Sequence, residues 1–342
     1  MVRFLGLGIL AYLLLSVSVA AQPSTSADPP TVAGARTLME QGRLDDAQRE
    51  LNALASQQPE LADVERLRGI VSYEKNEMLE AAAAFARAVA QDPDDQVAMQ
   101  MQGVVMFRLG KPAEAIPLLE KAHASGAIAN ADPNYVLALC YIATGRYDDA
   151  RHAFAAQYEF EPDSAAAWLL TARMLFRQEQ TAPAEADARK ALQLEPQIPF
   201  AHQMLGEIAL ARGDLQGAIA ELEKERELNP LDGETYERLG DAYLRSGRYA
   251  RAQQALDRAV LLEPNSTGPY ILLGRVLLEQ KDPLTATMYL ERAAKMDPSN
   301  SITHMLLARA YEAAGRKDDA EREAKVLEQL QQSKMNSPAT PQ

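Results

Sequence analysis

The stretch from Leu231 to Pro264, LDGETYERLGDAYLRSGRYARAQQALDRAVLLEP, decides how this chain is read. Its first half sets Tyr236, Leu239, Gly240 and Tyr243 at i, i+3, i+4 and i+7. Its second half sets Ala252, Leu256, Ala259 and Val260 at i, i+4, i+7 and i+8. Each set is one apolar stripe on an α-helix. Ser246-Gly247 separates the two, because glycine accepts the left-handed conformation that ends a helix. Pro264 stops the second, because the residue before a proline is pushed out of the helical region. The segment therefore predicts two antiparallel helices joined by a short turn. Two helices of this size cannot cover both stripes by themselves, so they need neighbours.

The neighbours recur along the chain. Pro162, Pro196, Pro230, Pro264 and Pro298 are spaced by 34 residues, and Pro59 and Pro93 repeat the interval upstream. Between Pro93 and Pro162 one copy has lost its proline and gained one residue. A small residue recurs in the first helix, at Ala35, Gly69, Gly103, Ala138, Ala172, Gly206, Gly240, Gly274 and Ala308. A large one recurs in the second, at Leu51, Phe85, Leu119, Phe154, Leu222, Leu256 and Leu290, with Ala188 and Ala324 as exceptions. The turn column reads Gly42, Asn76, Gly110, Gly145, Glu179, Gly213, Gly247, Lys281 and Gly315.

This pattern resembles the tetratricopeptide repeat, whose period is 34 residues. The resemblance rests on an aromatic (Trp168, Tyr236, Tyr270), then Leu205-Gly206, Leu239-Gly240 and Leu273-Gly274, then alanine, a large residue and proline in register. Nine copies start near residues 28, 62, 96, 131, 165, 199, 233, 267 and 301 and span 28–332. The fold expected is an all-α solenoid with one continuous elongated core. In the third copy, Pro117 lies inside the second helix, and residues 126–132 replace the usual ending. The last helix, from Lys317, carries a charged outer face suited to capping the array, and 333–342 reads as a disordered tail.

Residues 1–21 are of another kind. Arg3 precedes an apolar run from Phe4 to Val19, and Ser18-Val19-Ala20 supplies small residues at a cleavage site. This is the pattern of a secretory signal peptide, with an uncleaved membrane anchor as the alternative. Residues 22–27 form a linker. The expected location is exported, periplasmic or secreted, or else anchored in an inner membrane.

Little points to chemistry. The formal net charge of −13 argues against nucleic acid, which requires a basic stripe. Cys140 is the sole cysteine, expected to be buried. His123, His152, His202 and His304 are not spaced as metal ligands, and no phosphate loop, nucleophile elbow or HExxH motif occurs. The pairs Asp45-Asp46, Asp148-Asp149 and Asp318-Asp319 recur just before the second helix, where they suit a helix N-terminus. No enzyme, cofactor or metal is expected.

What remains is a surface. The resemblance implies that first helices line a concave face that takes partner proteins or peptides. First-helix residues that the hairpins do not use are Arg66, Ile70 and Tyr73; Gln100, Val104 and Phe107; Tyr135, Leu139 and Ile142; Leu169, Arg173 and Phe176. Further on they become Gln203, Glu207, Glu234, Glu237 and Asp241, then Ile271, Arg275, Met305 and Arg309. The partner site is expected at Ile70, Tyr73, Val104, Phe107, Tyr135, Leu139, Ile142, Leu169, Arg173 and Phe176. The function expected is a non-catalytic scaffold holding a partner in the cell envelope. The alternative is a membrane-anchored accessory subunit of an envelope enzyme, assembly or secretion complex.

Overall fold

The computed structural model describes residues 30–57, 61–124 and 133–336. The proposed signal segment, linker, register slip at 126–132 and residues 337–342 lie outside them. The described residues form eighteen α-helices and no strand. In pairs these are α1 (Val32–Glu40) and α2 (Leu44–Gln57), α3 (Ala62–Glu74) and α4 (Met78–Gln91), α5 (Gln96–Arg108) and α6 (Pro112–Ala124). There follow α7 (Pro133–Ala143) and α8 (Tyr147–Gln157), α9 (Ala165–Arg177) and α10 (Thr181–Leu194), α11 (Ala201–Arg212) and α12 (Leu215–Leu228). The last are α13 (Gly233–Arg245) and α14 (Tyr249–Leu262), α15 (Thr267–Glu279) and α16 (Pro283–Met296), α17 (Ser301–Ala313) and α18 (Lys317–Asn336). The final helix thus runs four residues past the expected repeat boundary at 332. The chain is an all-α solenoid of helix hairpins.

Contacts divide the chain into two compact units, one ending at Val105 and one starting at Met106. The division falls within α5, in the repeat that departs most from the period. The first unit closes around Ala35, Ala47, Leu51, Leu54, Val64, Leu67 and Val71. The second includes a core of Ala218, Leu222, Leu239, Ala252, Leu256 and Leu273. α6 runs through Pro117 as one helix, at the loss of one helical hydrogen bond.

Within a hairpin the small and large columns meet. A Cβ added to Gly69 would lie 2.6 Å from the Phe85 ring, one at Gly206 2.5 Å from Leu222, and one at Gly274 2.4 Å from Leu290. The bare backbone of the first helix is what lets the large residue of the second seat fully. All nine turn-column residues have positive φ, from 60° at Glu179 to 78° at Gly213. Asn76, Glu179 and Lys281 hold this left-handed conformation with a side chain, at about 1 kcal/mol each. Lys281→Gly is therefore expected to raise stability by up to about 1 kcal/mol, less the entropy that glycine adds to the unfolded chain. Comparing urea midpoints at a common slope checks this.

Between repeats a polar tie recurs. Tyr141 Oη donates to Glu120 Oε1 at 2.6 Å, and Tyr311 Oη donates to Glu291 Oε1 at 2.8 Å. The guanidinium of Arg146 lies 4.4 Å over the Tyr141 ring, and that of Arg316 lies 4.3 Å over Tyr311. Each arginine also binds the second aspartate of its acidic pair, Asp149 at 2.6 Å and Asp319 at 2.5 Å. The acidic pairs thus serve the fold, in the first turns of α8 and α18. The aromatic column has its own task. Tyr270 Oη donates to the Pro264 carbonyl at 3.1 Å, Tyr236 Oη to that of Pro230 at 3.3 Å, and His304 Nε2 meets that of Pro298 at 3.0 Å. Cys140 is buried, and burial pushes its thiol up to about 12, so it is a packing residue.

One buried carboxyl works against the fold. Asp187, on α10, is 8% exposed, and its Oδ2 has no hydrogen-bond partner. Burial pushes its pKa up to about 7; the charge of Arg151 pulls it down and that of Asp148 pushes it up. The folded pKa lies above the unfolded value, so folding favours the neutral form. The cost is full above about pH 7 and vanishes as pH falls toward the ordinary carboxylate range. Asp187→Asn should stabilise the protein by about 1–2 kcal/mol at pH 8 and by almost nothing near pH 4. Thermal melts at the two pH values check the sign.

Candidate partner-binding cleft

In the second unit the first helices α9, α11 and α13 touch in sequence. Residues one repeat apart therefore stand side by side. Phe176, Leu210 and Leu244 form one such row, and Arg173, Glu207 and Asp241 form another. Between these helices opens a cleft of about 250 Å³, lined by Phe176, Glu207, Leu210, Ala211, Arg238, Asp241 and Arg245. Phe176, Leu210 and Ala211 supply the apolar wall.

The charged lining is cross-linked. Arg238 Nε lies 3.3 Å from Glu207 Oε1, and its Nη2 donates to Glu234 Oε1 at 3.0 Å. Arg245 Nη2 donates to the Leu210 carbonyl at 3.1 Å, and its Nη1 lies 3.6 Å from Asp241 Oδ2. Beside the cleft, burial raises the pKa of Glu237; the charge of Arg238 lowers it, and Glu234, Glu263 and Asp241 raise it. Arg173, exposed on α9, makes no ion pair among the described residues. The lining contains no serine, cysteine, histidine or lysine. Among the described residues no group of three metal-ligating side chains gathers, and no helix is long and apolar enough to cross a membrane. An apolar wall edged by fixed donors and acceptors is suited to holding a side chain and the adjoining backbone of a partner.

The ten expected residues do not all gather here. Ile70, Tyr73 and Val104 belong to the first unit, and the other seven to the second. Val104 is 6% exposed and Ile142 is 3% exposed, so both are interior residues and not groove-lining ones. Tyr135 sets its ring edge on Phe154, with centroids 5.9 Å apart at 63°. It therefore packs within its own hairpin, contrary to the expectation. Ile70 leans on the core of the first unit, and Leu169 on Ala165, Ala191, Ile198 and Ala201. Tyr73, Phe107 and Leu139 are half-buried, and Arg173 is exposed. Phe176 alone lines the cleft. Gln203, read as a surface residue, is buried, donating to Glu207 Oε1 at 3.1 Å.

The residues that the expectation missed are Leu210, Ala211, Arg238 and Arg245. Three of them were in register: Leu210 is one repeat from Phe176, Ala211 one repeat from Arg177, and Arg245 one repeat from Ala211. Arg238 had no such signal, because its counterpart one repeat earlier is Met204, which is no part of the lining.

Tetratricopeptide repeat profiles match residues 32–96 and 106–174, and the profile of the cilia and flagella-associated protein 70 middle TPR-like domain matches residues 211–332. No curated protein sequence matches the chain. Among solved structures, the APC/C hetero-tetramer Cut9–Hcn1 is similar at 21% identity, with TM-score 0.45, over 82% of this chain and 55% of that one. The chain thus spans about half the length of that relative. MamA matches at 21% identity and TM-score 0.47, over 53% of this chain and 100% of its own. YrrB, described as a TPR protein with an unusual peptide-binding site, matches at 20% identity and TM-score 0.46, over 54% of this chain and 95% of its own. With profiles of this one kind matched across both units, and its hairpins in 34-residue register, the chain belongs to the tetratricopeptide repeat family.

Proposed function

We propose that this protein is a non-catalytic interaction scaffold that holds a protein or peptide partner on the first helices of its repeats. The observation that carries this reading is the cleft between α9, α11 and α13. There an apolar wall of Phe176, Leu210 and Ala211 stands open beside arginines already fixed by Glu207, Glu234 and Asp241. An apolar partner side chain entering this cleft loses water on several sides. The fixed charges orient the segment that carries it. Arg173, exposed on α9 in the row of Glu207 and Asp241, extends the same surface.

The test is capture of partners from envelope extracts, quantified by mass spectrometry, with Phe176→Ala and the wild type as baits. A half-buried aromatic anchor that is a hot spot supplies about 2 kcal/mol or more, so at least about tenfold loss of the captured partner is expected. The melting temperature should fall by only a few degrees. Unchanged capture by a folded variant would place the site elsewhere.

The apolar run Phe4–Val19 after Arg3 supports an envelope location for this scaffold. The same run, left uncleaved, would make the protein a membrane-anchored accessory subunit of an envelope enzyme, assembly or secretion complex. Sequencing the mature N-terminus separates the two. A start at Ala21 or Gln22 supports the exported scaffold, and an intact Met1 or Val2 supports the anchored subunit.

A further inference from the structure

The loop after α8 breaks the pattern of the other repeats. α8 has 11 residues where α10, α12, α14 and α16 have 14. The helix stops because Glu159 takes φ of 58°, a left-handed conformation with no glycine to ease it. The Phe160 N–H then closes on the Ala155 carbonyl at 2.8 Å, and the Tyr158 N–H on that of Phe154 at 3.1 Å. Both aromatic rings are turned outward as a result. Tyr158 is 46% exposed and Phe160 39% exposed, and they stack with centroids 6.3 Å apart and planes at 25°. One repeat on, the counterpart of Tyr158 is Leu192, which packs against Ala165, Ala191, Ile198 and Ala201.

The far end of the loop is fastened from beneath. Arg151, nearly buried, donates from Nε to the Pro162 carbonyl at 3.1 Å and from Nη2 to Asp163 at 3.3 Å, and its guanidinium lies 3.7 Å over the Trp168 ring. The aromatic pair is therefore held at both ends, and little ordering remains to be done on binding. Glu159 and Glu161 flank the rings. Both are exposed, and neither makes an ion pair among the described residues. Asp163 is the one carboxylate of the loop with a cation beside it.

We propose that Tyr158 and Phe160, with Glu159 and Glu161, form a second docking point, and that its occupant is an arginine-bearing segment of a partner protein. The face of an aromatic ring attracts a guanidinium, and arginine also stacks flat on it. The two carboxylates complete the match by charge and by hydrogen bonding. This point lies on a loop between repeats, away from the cleft of Phe176, so the failure of either site leaves the other standing.

The experiment uses the full chain and a short peptide of three arginines in a glycine-serine background, with a citrulline counterpart of equal shape and no charge. Binding is measured by calorimetry near physiological salt. The arginine peptide should bind the wild type at least about tenfold more tightly than it binds the Tyr158→Ser, Phe160→Ser double variant, which should melt at the wild-type temperature. Glu159→Gln with Glu161→Gln should weaken binding severalfold and flatten its salt dependence. Equal affinity for the wild type and the serine variant would overturn the proposal, because the acidic chain alone would then account for the binding. Equal binding of the citrulline peptide would overturn it, and so would collapse of the serine variant, which would make the rings core.

Discussion

Gly240→Leu will cost the protein about 3 kcal/mol of stability, through overpacking. A Cβ at this position would lie 2.4 Å from both Cγ and Cδ2 of Leu256, before the rest of the leucine is added. Leu256 is wholly buried within the core formed with Leu222, Leu239, Ala252 and Leu273, so it has nowhere to swing. The hairpin of α13 and α14 must open or the two helices must slide. Contrast Gly247 in the turn, which has nothing within 4 Å. There a side chain meets only the strain of a φ of 74°, of about 1 kcal/mol. The expected order in chemical denaturation is wild type, then Gly247→Ala, then Gly240→Leu. Leu256→Ala introduced alongside Gly240→Leu should recover part of the loss. An unchanged midpoint for Gly240→Leu would mean that the helices do not face each other in this register.

The second large effect is expected at Glu225, a wholly buried charge on α12. It accepts the Phe200 N–H at Oε1, 2.8 Å, and the Gln203 N–H at Oε2, 3.3 Å, and Asn229 Nδ2 also donates to it. These are amides of the first turn of α11, whose own cap residue, Phe200, has φ of 69° and offers no side-chain acceptor. The carboxylate thus caps a helix from a neighbouring one, where the dipole favours a negative charge. Glu225→Ala leaves the Phe200 and Gln203 amides and Asn229 Nδ2 without this partner and should cost about 3 kcal/mol or more. Glu225→Gln keeps an acceptor and loses the charge, and should cost about 1 kcal/mol. Equal losses from the two substitutions would show that packing, not capping, holds Glu225 in place.

The same site shows what could be read from the residues alone. The cap column runs Ser164, Ile198, Asp232, Ser266 and Asn300. Ser164, Asp232 and Asn300 do cap their helices with side chains. Ile198 has no side-chain acceptor to offer, and α11 begins only at Ala201, after Phe200. That Glu225 would fill the gap could not be read, because it depends on a contact between residues 25 positions apart. The hairpins were legible for a simpler reason. Each column of the 34-residue period is a repeated measurement of one local environment, and nine copies make the pairing of Gly206 with Leu222 or Gly274 with Leu290 visible.

The surface was less legible. A first helix has three uses for its side chains: its own hairpin, the next repeat, and a partner. Subtracting the first leaves the other two mixed. Val104 and Ile142 fell on the wrong side of that division because both are buried. Tyr135 did so because Phe154 reaches it within the hairpin itself. Phe176 lines an open cleft because Ala211, one repeat on from Arg177, is small. The early end of α8 left no mark on the apolar pattern, since Tyr158 and Phe160 stand where other copies carry Leu192 and Leu194.

Trp168 is the only tryptophan in the chain, and it lies in the second unit beneath a guanidinium. Its emission is therefore a spectroscopic probe installed by nature at a single address. A fluorescence melt follows the unit that begins at Met106 and is blind to the one that ends at Val105, while circular dichroism weighs helices in both. If the two units melt as one, the curves coincide; if they melt apart, the optical traces separate, and the gap between them measures how independently the halves hold together.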